Sequence, residues 1–157
     1  MNNDSTALYA FKKYGNTVLR AAFAFCGSYA ESEDIVQDVF LSLHTSPQSF
    51  NDDEHMKAWL LRVTINKCKN LKRSFRFSRT CYLDELEQSE AIEETKTDGR
   101  ELRNQIASLP KKYAEVIFLH YYEGYSIKEI AQITEKNEKT VGSLLRRGRE
   151  KLKAELE

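Results

Sequence analysis

The chain has 157 residues, 31% of them charged and 41% hydrophobic, with 24 basic and 24 acidic side chains for a formal net charge of zero. That length holds one domain or two small ones, and this balance of charged and apolar residues excludes a disordered chain. No apolar run approaches membrane-spanning length and no signal peptide is present, so a cytoplasmic protein without membrane insertion is expected.

The first predicted helix runs from about Ser5 to Cys26, with Leu8, Phe11, Val18, Leu19, Ala22 and Phe23 recurring at helical spacing as core candidates. Gly27 follows as a C-cap. A second helix covers Glu31 to Leu43. Ile35, Val36, Val39, Phe40 and Leu43 share its apolar face, and Glu33, Asp34, Gln37 and Asp38 lie on the other. Acids in a first turn also suit the helix dipole, so by themselves these residues read first as a structural feature.

Thr45 to Glu54, with Pro47, reads as a loop. A third helix is expected from Met56 to about Arg73, with Met56, Trp59, Leu60 and Val63 facing inward. Every charged residue from Lys57 to Arg79 is basic: Lys57, Arg62, Lys67, Lys69, Lys72, Arg73, Arg76 and Arg79. Asn66 and Asn70 stand one turn apart among them, and Phe75 and Phe77 alternate with Ser74, Arg76 and Ser78. Basic groups neutralise phosphates, and aromatics and amides stack on or bond to unpaired bases. The competing reading is a surface helix with snorkelling lysines.

Asp84 to Gly99 is mostly acidic with little apolar periodicity and reads as a linker; blocks of opposite sign imply separate partners. Helices resume near Arg100, with Leu102, Ile106 and Leu109 on one face and Pro110 at an N1 position. Tyr113, Val116, Ile117 and Tyr121 continue a core. Ser126 and Glu129 have capping-box spacing, so a helix starts at Ile127 with Ile127, Ile130 and Ala131 as its apolar face. Asn137 then caps a last helix, which buries Val141, Leu145, Gly148 and Leu152 and presents Lys139, Ser143, Arg146, Arg147 and Glu150. This is the pattern of a helix-turn-helix, whose second helix can enter a major groove.

Cys26, Cys68 and Cys81 are odd in number and lack C-x-x-C spacing, so neither a disulfide framework nor a zinc site is indicated. His44, His55 and His120 are isolated. No catalytic constellation, phosphate loop or cofactor motif is present, which argues against an enzyme.

In order along the chain stand an acidic D-x-x-Q-x-x-F helix (Asp34, Gln37, Phe40), an F-x8-W-L-x2-V-x2-N stretch from Phe50 to Asn66, a variable acidic segment, and S-L-P-K-K-Y-A-E-V-I-F-L before the helix-turn-helix. In that order they resemble the extracytoplasmic-function (ECF) class of bacterial RNA polymerase sigma factors. The resemblance implies an all-α protein of two small helical domains joined by a flexible linker. These are a sigma region 2 helical bundle at 1–78, an acidic linker at 79–99 and a sigma region 4 helix-turn-helix at 100–157. It implies a transcription initiation factor that directs core RNA polymerase to promoters and assists DNA opening, with no cofactor.

Position by position, the resemblance assigns Asp34, Gln37, Asp38 and Leu41 to docking on the polymerase clamp helices. The loop Phe50, Asn51, Asp52, Asp53 and His55 would capture a flipped base of the minus-ten element. Arg62, Asn66, Lys69, Asn70 and Arg73 would face that element, and Lys139, Thr140, Ser143, Arg146 and Arg147 would read the minus-thirty-five element. The partners implied are core RNA polymerase (clamp helices and flap), promoter DNA and an anti-sigma factor, for a chain that is monomeric when free. Relatives usually carry Gly where Glu135 stands, an aliphatic residue at Lys136, Lys or Arg at Gly142 and Arg at Leu144. Two other readings of the residues are a stand-alone helix-turn-helix regulator of duplex DNA and a helical interaction module without DNA contact.

Overall fold

The computed structural model describes residues 3–46, 48–70 and 97–156. Pro47, Lys72, Arg73, Phe75, Arg76, Phe77, Arg79, Cys81 and most of the acidic stretch lie outside the described residues. Helix α1 spans Asn3–Cys26, α2 Tyr29–Thr45 and α3 Asp53–Lys69. After the acidic stretch come α4 (Thr97–Ala107) and α5 (Lys111–Ile117), the latter running on into a π-helical turn at Phe118–Tyr122. Helices α6 (Ile127–Thr134) and α7 (Glu138–Leu156) complete the chain. None among the described residues is long and apolar enough to cross a membrane.

Local chemistry sets most of the boundaries. Gly27 takes φ 78° and its N–H bonds to Phe23 O at 2.8 Å, a left-handed stop that a side chain would resist. Ser28 Oγ accepts from Glu31 N to open α2, and Asp52 Oδ1 accepts from His55 N to open α3. The third helix therefore begins before Met56, at Asp53, because Asp52 is the stronger start signal. Pro110 is the N-cap of α5 and not its first helical residue, with φ −54° and ψ 144°. Both members of the Ser126–Glu129 capping box are formed, at 3.1 and 2.9 Å.

Helices α1, α2 and α3 pack mutually, and α7 packs on both α5 and α6. Val18, Phe23, Ile35, Val39, Leu43, Leu60 and Leu61 are buried in the first group, and Ile117, Phe118, Ile130, Val141 and Leu145 in the second. Each such side chain contributes roughly 1.5–3 kcal/mol by leaving water. Two buried threonine hydroxyls are satisfied within their own helices: Thr64 Oγ1 donates to Leu60 O and Thr134 Oγ1 to Ile130 O, both at 2.7 Å. Cys26 and Cys68 are buried thiols, and Cys26 Sγ donates to Ser28 O at 3.5 Å.

Four expected core residues face outward. Leu8 and Phe11 are 54% and 51% exposed, and Tyr121 and Ile127 are also exposed. Phe11 nonetheless meets the Phe40 ring edge to face at 5.3 Å. Tyr121 instead accepts a hydrogen bond from Arg149 Nη1 at 3.3 Å. The π turn contributes to this, since an extra residue per turn re-aims the side chains after Phe118. It stacks Phe118 on Tyr122, with centroids 4.8 Å apart.

The two helical groups also pack on each other. Helix α1 contacts α4 and α5, α3 contacts α6, and Phe25 meets Phe118 edge to face at 5.5 Å. One continuous hydrophobic core spans both halves.

Candidate nucleic-acid interface

The outward face of α2 carries Asp34, Gln37, Asp38 and Leu41, all exposed, while Ile35, Val39, Phe40 and Leu43 hold its inner face in the core. Leu41 is 58% exposed, an apolar group left in water beside two carboxylates. Gln37 also lines a groove of about 430 Å³ between α1 and α2, with Phe11, Leu19 and Val36. The charged residues lining that groove are Lys12 and Glu33.

The loop before α3 is stiffened by its own polar groups. Asn51 N donates to His55 Nδ1 at 3.1 Å, and the Phe50 ring meets His55 and Trp59 edge to face at 5.3 and 5.8 Å. Asp53 is held from α1: Tyr9 Oη donates to its carboxylate at 2.9 Å, Lys13 Nζ pairs with it at 2.9 Å, and Tyr14 Oη donates to its carbonyl at 3.2 Å. The Lys13 hydrogen bond, then that from Tyr9, keeps the Asp53 carboxyl below the usual carboxylate range. Asp52 and Asp53 thus shape the loop, in which Asn51, Asp52 and His55 are exposed and Phe50 and Asp53 half-buried.

Along α3, Arg62, Asn66, Lys69 and Asn70 are exposed on one stripe, opposite Leu60, Leu61, Thr64, Ile65 and Cys68. Arg73 lies outside the described residues. Two side chains of the basic block are engaged across the molecule, which periodicity could not reveal. Arg62 Nη2 pairs with Glu135 Oε2 at 2.7 Å, and Lys57 Nζ with Glu123 Oε1 at 2.8 Å.

Helix α7 opens with Thr140 N donating to Asn137 Oδ1 at 2.7 Å. Lys139, Thr140, Arg146 and Arg147 are exposed and Ser143 is half-buried beside them, so five residues share one polar face. Val141, Leu144 and Leu145 are buried behind it. Leu144 is therefore core, and an arginine there would enter the apolar seam. The turn before α7 closes without glycine: Glu135 adopts φ 60°, ψ 38°, and Lys136 N bonds to Ala131 O at 3.0 Å. A side chain in that left-handed conformation costs about 1 kcal/mol.

Residues 10–77 match Sigma-70 region 2 and residues 99–152 match Sigma-70, region 4. RNA polymerase sigma factor SigZ of Bacillus subtilis is 30% identical over 128 residues, spanning 80% of this chain and 72% of that protein. ECF RNA polymerase sigma factor SigW of the same organism is 27% identical over 164 residues, spanning 91% and 84%. The chain belongs to the ECF class of RNA polymerase sigma factors. This sigma factor has a solved structural neighbour in CnrH, determined in complex with the cytosolic domain of CnrY: 26% identity, TM-score 0.68, with 98% of this chain and 88% of that one covered. As a sigma factor it is a transcription initiation factor. The region 2 match over α1–α3 disfavours a stand-alone duplex regulator, which has no use for that half.

Proposed function

We propose that this sigma factor docks on the clamp helices of core RNA polymerase through Asp34, Gln37, Asp38 and Leu41. In this reading Phe50, Asn51 and the stripe Arg62–Asn66–Lys69–Asn70, continued by Arg73, read and open the minus-ten element. Asp52, Asp53 and His55 hold the loop in shape. Lys139, Thr140, Ser143, Arg146 and Arg147 grip the minus-thirty-five element, and residues 79–99 link the two halves. The polymerase, whose flap would hold the second half, performs the chemistry, in the cytoplasm. The observation that carries the reading is that three polar faces, on α2, α3 and α7, stand outward in the order of the matched sigma regions. An anti-sigma factor is a further partner, in line with the CnrY complex of CnrH.

Run-off transcription with purified core polymerase tests the scheme. Asn66→Ala is expected to lower output from a duplex promoter about tenfold, the worth of one hydrogen bond of about 1.4 kcal/mol. A template with a mismatched bubble at the minus-ten element restores it if Asn66 acts only in opening. Full activity of the variant on both templates removes Asn66 from the interface.

For α7, Arg147→Ala is expected to weaken promoter binding by about 1–3 kcal/mol if the guanidinium spans a base edge. A phosphate contact instead weakens all sequences alike and lowers the salt slope by about one. Gly142 has open space around it, so Gly142→Lys meets no steric barrier. It should tighten DNA binding through an added phosphate contact. Titrations of the full chain against promoter and scrambled duplexes at several salt concentrations check both variants.

A further inference from the structure

The loop before α3 has its far end fixed from a distant part of the chain. Three side chains on successive turns of α1 converge on Asp53. Tyr9 Oη donates to Asp53 Oδ2 at 2.9 Å, Lys13 Nζ meets the same oxygen at 2.9 Å, and Tyr14 Oη donates to the Asp53 carbonyl at 3.2 Å. Side chain and backbone of one residue are thus held together, across 44 and 39 positions of sequence. Tyr9 and Lys13 stand four residues apart, the spacing that stacks side chains on one helix face. Tyr14 is buried while Tyr9 is exposed, so the brace runs from the core outward.

Stability does not account for this convergence. Lys13 and Asp53 keep 45% and 42% of their side-chain exposure, and an ion pair so open to water adds little to folding. What the contacts fix is position. Asp53 adjoins Asp52, whose Oδ1 accepts from His55 N. His55 in turn accepts from Asn51 N and meets the Phe50 ring edge to face. A shift of Asp53 therefore passes to Asn51 and Phe50. An extruded base is best received by groups already in place, because ordering them on binding costs affinity.

We propose that Tyr9, Lys13 and Tyr14 are positioning residues of minus-ten recognition: they act through Asp53, by setting the loop from Phe50 to His55, and touch neither base nor phosphate themselves. The proposal rests on the reading of that loop as the receiver of an unpaired base.

The test uses holoenzyme assembled from the full chain and core polymerase, with a short, fully randomised single-stranded DNA pool. Bound DNA is sequenced for the enrichment of the preferred base at the most selective position, and affinity for the unselected pool is measured at several salt concentrations. Enrichment is a ratio between sequences, so it does not move with the fraction of protein that is folded. Tyr9→Phe/Lys13→Ala and Asp53→Ala are each expected to lower enrichment about tenfold, the worth of one hydrogen bond to the base. The triple variant should fall no further than either, because all three residues act on one contact. Lys13→Arg keeps the cation and should retain wild-type enrichment.

If Tyr9→Phe/Lys13→Ala keeps wild-type enrichment while Asn51→Ala loses it, α1 does not position the loop, and the loop still reads DNA. If the triple variant falls by the product of the two separate effects, with a salt slope shallower by about 0.7, Lys13 contacts a phosphate itself and the positioning role is wrong. If Asn51→Ala and Asp53→Ala both keep wild-type enrichment, the loop does not receive the base, and the role of α1 falls with that reading.

Discussion

Asp38→Arg is expected to weaken binding to core RNA polymerase by on the order of several kcal/mol, more than a hundredfold in Kd, while leaving the fold intact. Asp38 stands exposed on α2, and the neighbouring Val39 is the residue that enters the core. The substitution removes no internal contact. It also places a cation one turn after Asp34, a spacing that adds a few tenths of a kcal/mol of helix stability. Any loss of affinity therefore reports the interface and not unfolding. Circular dichroism with a thermal melt, followed by titration of labelled protein with core polymerase, separates the two. Unchanged affinity would remove α2 as the docking helix.

The second large effect concerns two glycines of α7 that look alike in sequence. A Cβ on Gly148 would lie 2.9 Å from Ile117 Cγ1, 3.1 Å from its Cδ1 and 3.4 Å from Tyr113 Cβ. Ile117 is fully buried, so it cannot swing aside. Gly148→Val should overpack this crossing and destabilise the protein by about 1–3 kcal/mol. Because the same crossing sets how α7 is presented, minus-thirty-five binding should fall with it. Gly142 meets nothing within 4 Å, so Gly142→Ala should instead stabilise the helix by roughly 1 kcal/mol. Urea midpoints of the two variants should move in opposite directions. Equal shifts would mean that α7 does not cross α5 at Gly148.

Much of this molecule is written locally. The stop at Gly27, the capping box of Ser126 and Glu129 and the Asn137 cap each act within three or four residues, so a chain read in order reveals them. The buried faces of α2 and α7 follow from helical spacing, down to Leu144 turning inward. The order of the acidic helix, the aromatic and amide stretch and the helix-turn-helix was enough to point to an ECF sigma factor.

What the order of residues could not settle is what covers each face. Spacing marks Leu8, Phe11 and Ile127 as apolar, and only the positions of the neighbouring helices leave them in water. The Asp53 carboxylate looks like one more acid of a DNA-reading loop until α1 brings Tyr9 and Lys13 to it. Lys57 and Arg62 belong to a run whose charges are all basic, yet each meets a carboxylate from the far half of the chain. Such pairs have no period and no fixed separation. They arise because a continuous core draws α6 onto α3, and that packing is decided only when both halves are folded.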